Sequence, residues 1–202
     1  MHKSEPDRIL FHTGNKGKFL EASNLMRLKG IKLQLLSDHS PEIQVIEPQL
    51  DAFQEVAVSK LNQVVGQLGD GFDADWIMVE DAGLLIDHLD GFPGPYSSYV
   101  FSTIGPEGIL KLMQGVESRE ARFMASIALW DGDRVHSFEG KCEGIISPKA
   151  VGVRGFGYDP IFIPNGGNGR TFSEMQEDEK SSFSHRANAL NIMAETLFLP
   201  SI

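Results

Sequence analysis

Cysteine is almost missing from this chain. Cys142 is the only one among 202 residues, which excludes an internal disulfide and any CxxC metal site. A lone thiol suits a reducing compartment, so the expected location is cytoplasmic. Positive charge is also in short supply: 18 Lys and Arg stand against 28 Asp and Glu, for a net charge of −10. A protein that grips a nucleic-acid polymer needs a basic face, so no such partner is expected. A nucleotide substrate stays open, because Mg²⁺ can carry phosphates past an acidic surface. No apolar run approaches the roughly 20 residues that cross a bilayer. The start, Met1 to Arg8, is polar and unlike a signal peptide, so no membrane partner is expected. The chain has no repeats, no low-complexity segment and no GxxxxGK[ST] phosphate loop. Its composition, 41% hydrophobic and 23% charged, is ordinary for a globular protein, and its length suffices for one or two domains with a real core.

One stretch organises the rest: Trp76-Ile77-Met78-Val79-Glu80-Asp81-Ala82-Gly83. Trp76 to Val79 is a short apolar run that follows the turn-forming Gly69 to Asp73, and it reads as a buried strand. Glu80 and Asp81 would end that strand, and Gly83 would let the chain turn sharply. Carboxylates at a strand C-terminus in an α/β sheet can hold a divalent cation or take a proton from water. Two solvated acids at a strand end would look the same locally.

Upstream, Arg8 to His12 reads as a first strand. Thr13-Gly14-Asn15-Lys16-Gly17-Lys18 then forms a glycine turn. An amphipathic helix follows to Lys29, with Phe19, Ala22, Met26, Leu20, Leu25 and Leu28 on its apolar face. Such a turn can present backbone N–H groups at a helix N-terminus, a natural anion site, and Lys16 and Lys18 add charge for phosphates. Ile31, Leu33 and Leu35 suggest a half-buried strand. After a loop closed by Glu47-Pro48, a helix is expected from about Leu50 to Leu68, with Phe53, Ala57, Leu61, Val64 and Leu68 buried. Locally, Glu47 reads as an acid favoured near a helix start, and Lys60 as a lysine beside the buried stripe.

Downstream of the acid pair, Leu84 to Leu89 alternates like a strand, and Asp90 to Tyr96 is too rich in Gly and Pro for a regular element. Short helices are expected over Ser97 to Thr103 and Pro106 to Met113. Ala121 to Trp130 and Arg134 to Ile146 form a long hairpin around Asp131-Gly132-Asp133. Its size suggests a second lobe, and Gly140 and Gly144 suggest a bulge or close backbone approach. In Gly155-Phe156-Gly157-Tyr158-Asp159-Pro160, glycines flank two rings whose poorly covered faces could stack on a base for roughly 1–3 kcal/mol. Gly166 to Arg170 reads as a flexible loop. The last helix is expected from about Ser182 to Phe198, with Pro200 as its stop. Lys180, His185 and Arg186 cluster at its start. The helix dipole disfavours cations there, so they are expected to face an anion or a carbonyl-rich ligand.

Taken together, Thr13 to Lys18, Glu80 to Leu84 running on to Gly91-Phe92-Pro93-Gly94-Pro95-Tyr96-Ser97, Phe156 to Pro160, and Glu179-Lys180 to Ser184-His185-Arg186 resemble the inosine triphosphate pyrophosphatase family, also described as XTP/dITP diphosphatases. Order and spacing agree along essentially the whole chain. The resemblance implies an α/β domain over residues 1–202, elongated and two-lobed, with a long central mixed sheet flanked by helices and a substrate cleft between the lobes. It implies a homodimer that needs Mg²⁺. It implies hydrolysis of ITP, dITP or XTP to the monophosphate and pyrophosphate, which clears deaminated nucleotides from the pool.

The resemblance also implies roles. Thr13, Gly14, Asn15, Lys16, Gly17 and Lys18 hold the triphosphate. Glu47, with Asp81, binds the metal. Lys60 lies on the phosphate side. Asp81 is the general base, with Glu80 beside it, and Lys18 and Lys60 stabilise the departing pyrophosphate. Phe156, Gly157, Tyr158, Asp159, Lys180, His185 and Arg186 read the base. Ala82, next to the substrate, stands where the family usually has Ser or Thr, a departure expected to slow turnover. Ser98 stands where many members have Arg. A catalytically weak nucleotide-binding protein is the alternative, and a diphosphatase acting on other nucleotides is a further rival.

Overall fold

The computed structural model describes residues 8–69 and 76–198. Six strands hydrogen-bond in the order β2-β1-β3-β4-β5-β6. They are β1 (Ile9–His12), β2 (Leu33–Leu35), β3 (Trp76–Ile86), β4 (Glu120–Trp130), β5 (Val135–Ile146) and β6 (Phe162–Pro164). The helices are α1 (Lys16–Leu28), α2 (Phe53–Leu68), α3 (Ser97–Thr103), α4 (Gly105–Leu112), α5 (Glu177–Ser181) and α6 (His185–Leu197). β1 pairs in parallel with both β2 and β3, and β5 pairs antiparallel with β6. β4 and β5 are neighbours joined by a few residues, which only an antiparallel pair allows. The sheet is therefore mixed and the class is α/β, as expected.

The chain forms two compact units. One comprises Met1–Asp81, Ser126–Glu139 and Ala189–Ile202; the other comprises Ala82–Ala125 and Gly140–Asn188.

In the first unit, Ile9, Leu10 and Phe11 are wholly buried. A strand flanked by parallel partners is covered on both faces, so an unbroken apolar run suits it. Asn15 caps α1, its Oδ1 accepting from Lys18 N at 3.1 Å. The helix thus begins at Lys16, and Gly17 and Lys18 lie in its first turn rather than in the loop. The broad apolar face expected of α1 is corrected: Ala22 and Met26 are buried, but Leu20 and Leu28 are 55% and 80% exposed. The α2 stripe buries Phe53, Val56, Ala57, Leu61 and Val64, and of these Ala57, Leu61 and Val64 share a core with Leu10, Leu36, Ile77, Val79 and Ala128.

β3 corrects the largest expectation. It runs unbroken for 11 residues from Trp76 to Ile86, so Glu80 and Asp81 sit inside a strand, and both are buried. Gly83 makes no turn. A methyl group there would meet Ser97 Oγ and lie 2.5 Å from Gly94 O. Glycine is needed because another backbone passes close by. The expected strand from Leu84 to Leu89 is the end of β3 followed by a 3₁₀ turn at Asp87–Leu89. The turn expected over Asp70 to Asp73 and the stop at Pro200 lie outside the described residues.

In the second unit, Leu84, Ile86, Val100, Ile109, Phe123, Ile161, Phe162 and Phe172 share a core. Ser97 fastens the start of α3, accepting from Leu84 N at 2.9 Å and donating to Gly94 O at 2.7 Å. Gly144 allows the close approach expected of it, since a methyl group there would press on Ile163 O and lie 2.7 Å from Phe162 Cζ. The loop at Gly166 to Arg170 is tied rather than loose, because the Arg170 guanidinium forms a two-pronged ion pair with Glu179. The last helix is shorter than expected. Lys180 belongs to the separate turn α5, and α6 begins at His185.

Candidate active site

The first unit gathers acids and lysines around a change in winding. From β1 the chain crosses through α1 to β2 on one side, then through α2 to β3 on the other. Both crossovers are expected to be right-handed, which places α1 and α2 on opposite faces of the sheet. The strand order reverses between β1 and β3, the location where open α/β sheets bind ligands. His12, Thr13 and Glu80 lie there.

Neighbouring residues of a strand point to opposite faces, so Glu80 and Asp81 do not act side by side. The Glu80 side chain is fully buried, with Lys18 Nζ of α1 3.5 Å from its Oε1. Asp81 takes its partner from α2: Lys60 Nζ lies 2.9 Å from Oδ1. The same ammonium reaches Glu47 Oε1 at 2.8 Å. Glu47 is exposed and lies several residues before α2 in chain without regular structure, so its charge is answered by Lys60 rather than by the start of the helix. Thr13 Oγ1 accepts from Asn15 N at 3.2 Å, which shapes the turn. Gly14, Asn15 and Lys16 are exposed at the helix start.

The electrostatics follow from burial. Burial pushes the Asp81 carboxyl above its ordinary pKa, against the opposing pull of Lys60 and Lys18. Its Oδ2 is buried with no hydrogen-bond donor, so desolvation there is uncompensated. Lys60 is pulled down by burial, but Asp81 and Glu47 outweigh this and hold it above its ordinary value. The two shifts pull the pair opposite ways, one towards a neutral acid and one towards a charged ammonium. We favour the raised Asp81, because one of its oxygens has no donor to offset the lost water. His12 is lowered by burial and then by Lys60, so it stays neutral at neutral pH.

These donors suit a small hard cation. Among the described residues no group of three or more His, Cys, Asp and Glu is placed to hold a metal. Two carboxylates plus substrate phosphates are nevertheless a usual set for Mg²⁺, and the donor-free Asp81 Oδ2 is the kind of oxygen such an ion takes.

The second unit holds the aromatic and basic motifs. Asp159 Oδ2 accepts from Phe156 N at 2.8 Å and from Lys180 Nζ at 2.7 Å. Lys180 Nζ is 4.9 Å from the centre of the Phe156 ring, and Arg186 Cζ is 5.7 Å from it. His185 stacks on Phe123, with centroids 4.7 Å apart and planes at 12°. Lys180, His185 and Arg186 are all buried. Two expectations change here. Lys180 faces a carboxylate of its own unit. Tyr158 offers no open face: its ring is in the core, its hydroxyl donates to Ser97 O at 3.0 Å, and burial pushes its pKa up to about 12. Phe156 remains the half-buried ring, and Gly157 beside it has a positive φ. Ala82 is half-buried next to Asp81. The sequence gives no partner for Gln63, Gln67, Ser97 or the Arg170–Glu179 pair, since each acts on a group that spacing does not reveal.

The fold and these clusters define an α/β protein with buried carboxylates paired to lysines in one unit and an aromatic-basic set in the other. The chain belongs to the Ham1 family, whose model matches residues 9–196. It is 42% identical over 189 residues to a protein of Methanopyrus kandleri named dITP/XTP pyrophosphatase, covering 93% of this chain and 95% of that one. A Pyrococcus horikoshii protein of the same name is 42% identical over 190 residues, covering 94% and 96%. A solved HAM1 protein from Coxiella burnetii superposes with a TM-score of 0.80 at 28% identity, covering 94% of this chain and 98% of that one.

Proposed function

We propose that this protein is a Mg²⁺-dependent nucleoside triphosphate pyrophosphatase acting on dITP, XTP and ITP, and that it releases the monophosphate and pyrophosphate. Relatives of nearly equal length named dITP/XTP pyrophosphatase support the reading. The observation that carries it is Asp81, a carboxylate buried in mid-strand with one oxygen on Lys60 and the other without a donor.

In this reading Asp81 accepts the proton of the attacking water. Lys18 and Lys60 stabilise negative charge on the phosphates and the departing pyrophosphate. Thr13, Gly14, Asn15, Lys16 and Gly17 bind phosphate oxygens at the start of α1. Glu80 fixes the Lys18 ammonium from the other face of β3. Glu47 and Asp81 would hold Mg²⁺, which when bound neutralises phosphate charge and polarises the P–O bond. Phe156 stacks on the base, while Asp159 and Lys180 set its loop. Donors of His185 and Arg186, together with the ammonium protons that Lys180 does not give to Asp159, meet the 6-oxo group of hypoxanthine or xanthine. Adenine's amino group would leave such a donor unmet, at about 1–3 kcal/mol per buried group.

The protein acts as a homodimer in the cytoplasm. Tyr99, Phe101, Ile104 and Leu112, exposed on α3, α4 and the junction between them, support an apolar partner surface. The single thiol supports a reducing compartment, and among the described residues no helix is long and apolar enough to cross a membrane. A second reading, a nucleotide binder with weak catalysis, is favoured by Ala82, which brings no hydroxyl beside Asp81.

The test is release of pyrophosphate and orthophosphate from dITP, XTP, ITP, GTP and ATP, with Mg²⁺ and with EDTA. Mg²⁺-dependent pyrophosphate from the first three and little from ATP is the expected result. Orthophosphate as the first product would refute the cleavage site, and binding without turnover would favour the second reading.

A further inference from the structure

The segment that carries Glu47 belongs to no strand or helix, yet it is fastened to α2. Gln67 Oε1 accepts from Gln44 N at 3.2 Å, and Gln67 Nε2 donates to Gln44 O at 2.7 Å. One turn earlier on α2, Gln63 Oε1 accepts from Ile46 N at 2.9 Å, and Gln63 Nε2 donates to Ile46 O at 2.9 Å. Each carboxamide thus satisfies the N–H and C=O of a single residue, which is what an opposing residue does in an antiparallel hydrogen-bonded pair. In extended chain, alternate residues present both groups to the same side, as Gln44 and Ile46 do here. On the helix, residues three or four apart share a face, so Gln67, Gln63 and Lys60 form one row. The row ends where Lys60 reaches Glu47.

We infer that Gln63 and Gln67 are positioning residues for the metal and phosphate site. They serve as a side-chain substitute for a β-strand, holding residues 44–47 extended along α2 and so delivering the Glu47 carboxylate to Lys60 and Asp81. This rests on the reading of Glu47 and Asp81 given above. An exposed Glu47 on a free loop would meet its partner only part of the time, and each encounter would carry the entropy of ordering the segment. The ladder orders the segment before any ligand arrives. The competing account is that Ile43, which is buried, and Val45, which packs on the first unit's core, already fix the loop and that the glutamines add nothing.

The double variant Gln63→Met/Gln67→Met separates the two accounts. Met matches Gln in length and helix propensity, and both sites are outside the buried stripe, so α2 keeps its fold. Two readouts are needed. In the metal-free protein, amide hydrogen exchange is followed at Gln44 and Ile46, with interior α2 amides as the control. In the active protein, the Mg²⁺ concentration for half-maximal dITP turnover is measured together with kcat at saturating Mg²⁺. The expected result is loss of protection at Gln44 and Ile46 alone. With it should come a roughly 10-fold rise in half-saturating Mg²⁺, the size usual when a partner that orients a metal ligand is removed, while saturated kcat changes little. An unchanged Mg²⁺ dependence, or Gln44 and Ile46 amides that stay protected in the variant, would overturn the inference. Wild-type protein inert towards dITP and XTP would overturn the functional reading instead, a result visible before any variant is made.

Discussion

Replacing Lys180 by Met should destabilise the protein by an amount set by Asp159. The side chains of the pair are 7% and 5% exposed, and they meet at 2.7 Å. Removing one partner of a buried pair leaves an uncompensated buried charge, at about 3–5 kcal/mol. Asp159 keeps the Phe156 N–H at 2.8 Å, which places the loss near the lower figure, about 3 kcal/mol. At this chain length that corresponds to a fall in Tm of roughly 6–12 °C. Met keeps the length of the side chain and its packing on Phe156 and Phe172, so the experiment isolates the charge. Adding Asp159→Asn should recover at least half of the loss, since the second change removes the stranded carboxylate while leaving an oxygen for Phe156 N. Thermal unfolding of the two single variants and the double variant gives the coupling directly. A Tm shift below about 2 °C for Lys180→Met, or additive losses in the double variant, would refute the reasoning that the pair is buried and mutually dependent.

Asp81→Asn should remove turnover by at least about 100-fold, measured as pyrophosphate release from dITP. The linkage has a definite sign: a carboxyl raised in the folded state contributes stability that is full below its unfolded pKa and lost as pH rises through the folded value. Asp81→Asn should therefore gain in Tm relative to wild type as pH is raised above about 4, and thermal melts across pH will show it. Gly83→Ala should cost about 1–3 kcal/mol through overpacking. Adding Ser97→Ala should not fully rescue it, because Gly94 O still lies 2.5 Å from the new methyl; the midpoint of urea unfolding tests both. Cys142 is buried and its thiol is pushed up to about 12 by burial and then by Glu143, so a thiol reagent at mildly alkaline pH should label it only on unfolding.

Much of this fold was legible in the sequence because its signals are local. The β1 apolar run, the α2 stripe and the long hairpin at Asp131 to Arg134 each carry their own periodicity, and each stands within a few residues of where it was expected. The errors share a different origin. Leu20 and Leu28 fit a helical face, yet they are exposed, because apolar residues are not obliged to be inside. Tyr158 looked open between glycines, yet those glycines serve the backbone. At Gly155, for example, a methyl would run into the Asp159 carboxylate. Gln63 and Gln67 could only look like polar residues on the wet side of α2. Their partners are a loop whose path no pattern in the sequence describes.

β3 is the instructive failure, because the physical premise behind the expectation was sound. Burying a carboxylate is costly, so an apolar run followed by Glu80-Asp81 reads as a strand that stops at water. The chain meets the cost instead, with Lys18 from α1 on one face and Lys60 from α2 on the other. That solution is invisible along the sequence, since it depends on two crossovers wound to opposite sides of the sheet. It also changes what the acid pair can do. A side-by-side dyad would share a proton, and either member could substitute for the other. Two acids on opposite faces, each with its own lysine, cannot. Asp81, with a donor-free oxygen and Glu47 within reach of the same ammonium, has the equipment for proton and cation chemistry. Glu80 is fully buried against Lys18, and in the proposed reading it only holds that ammonium in place. Asp81→Asn should therefore lose pyrophosphate release even though Glu80 still leaves one acid in the pair.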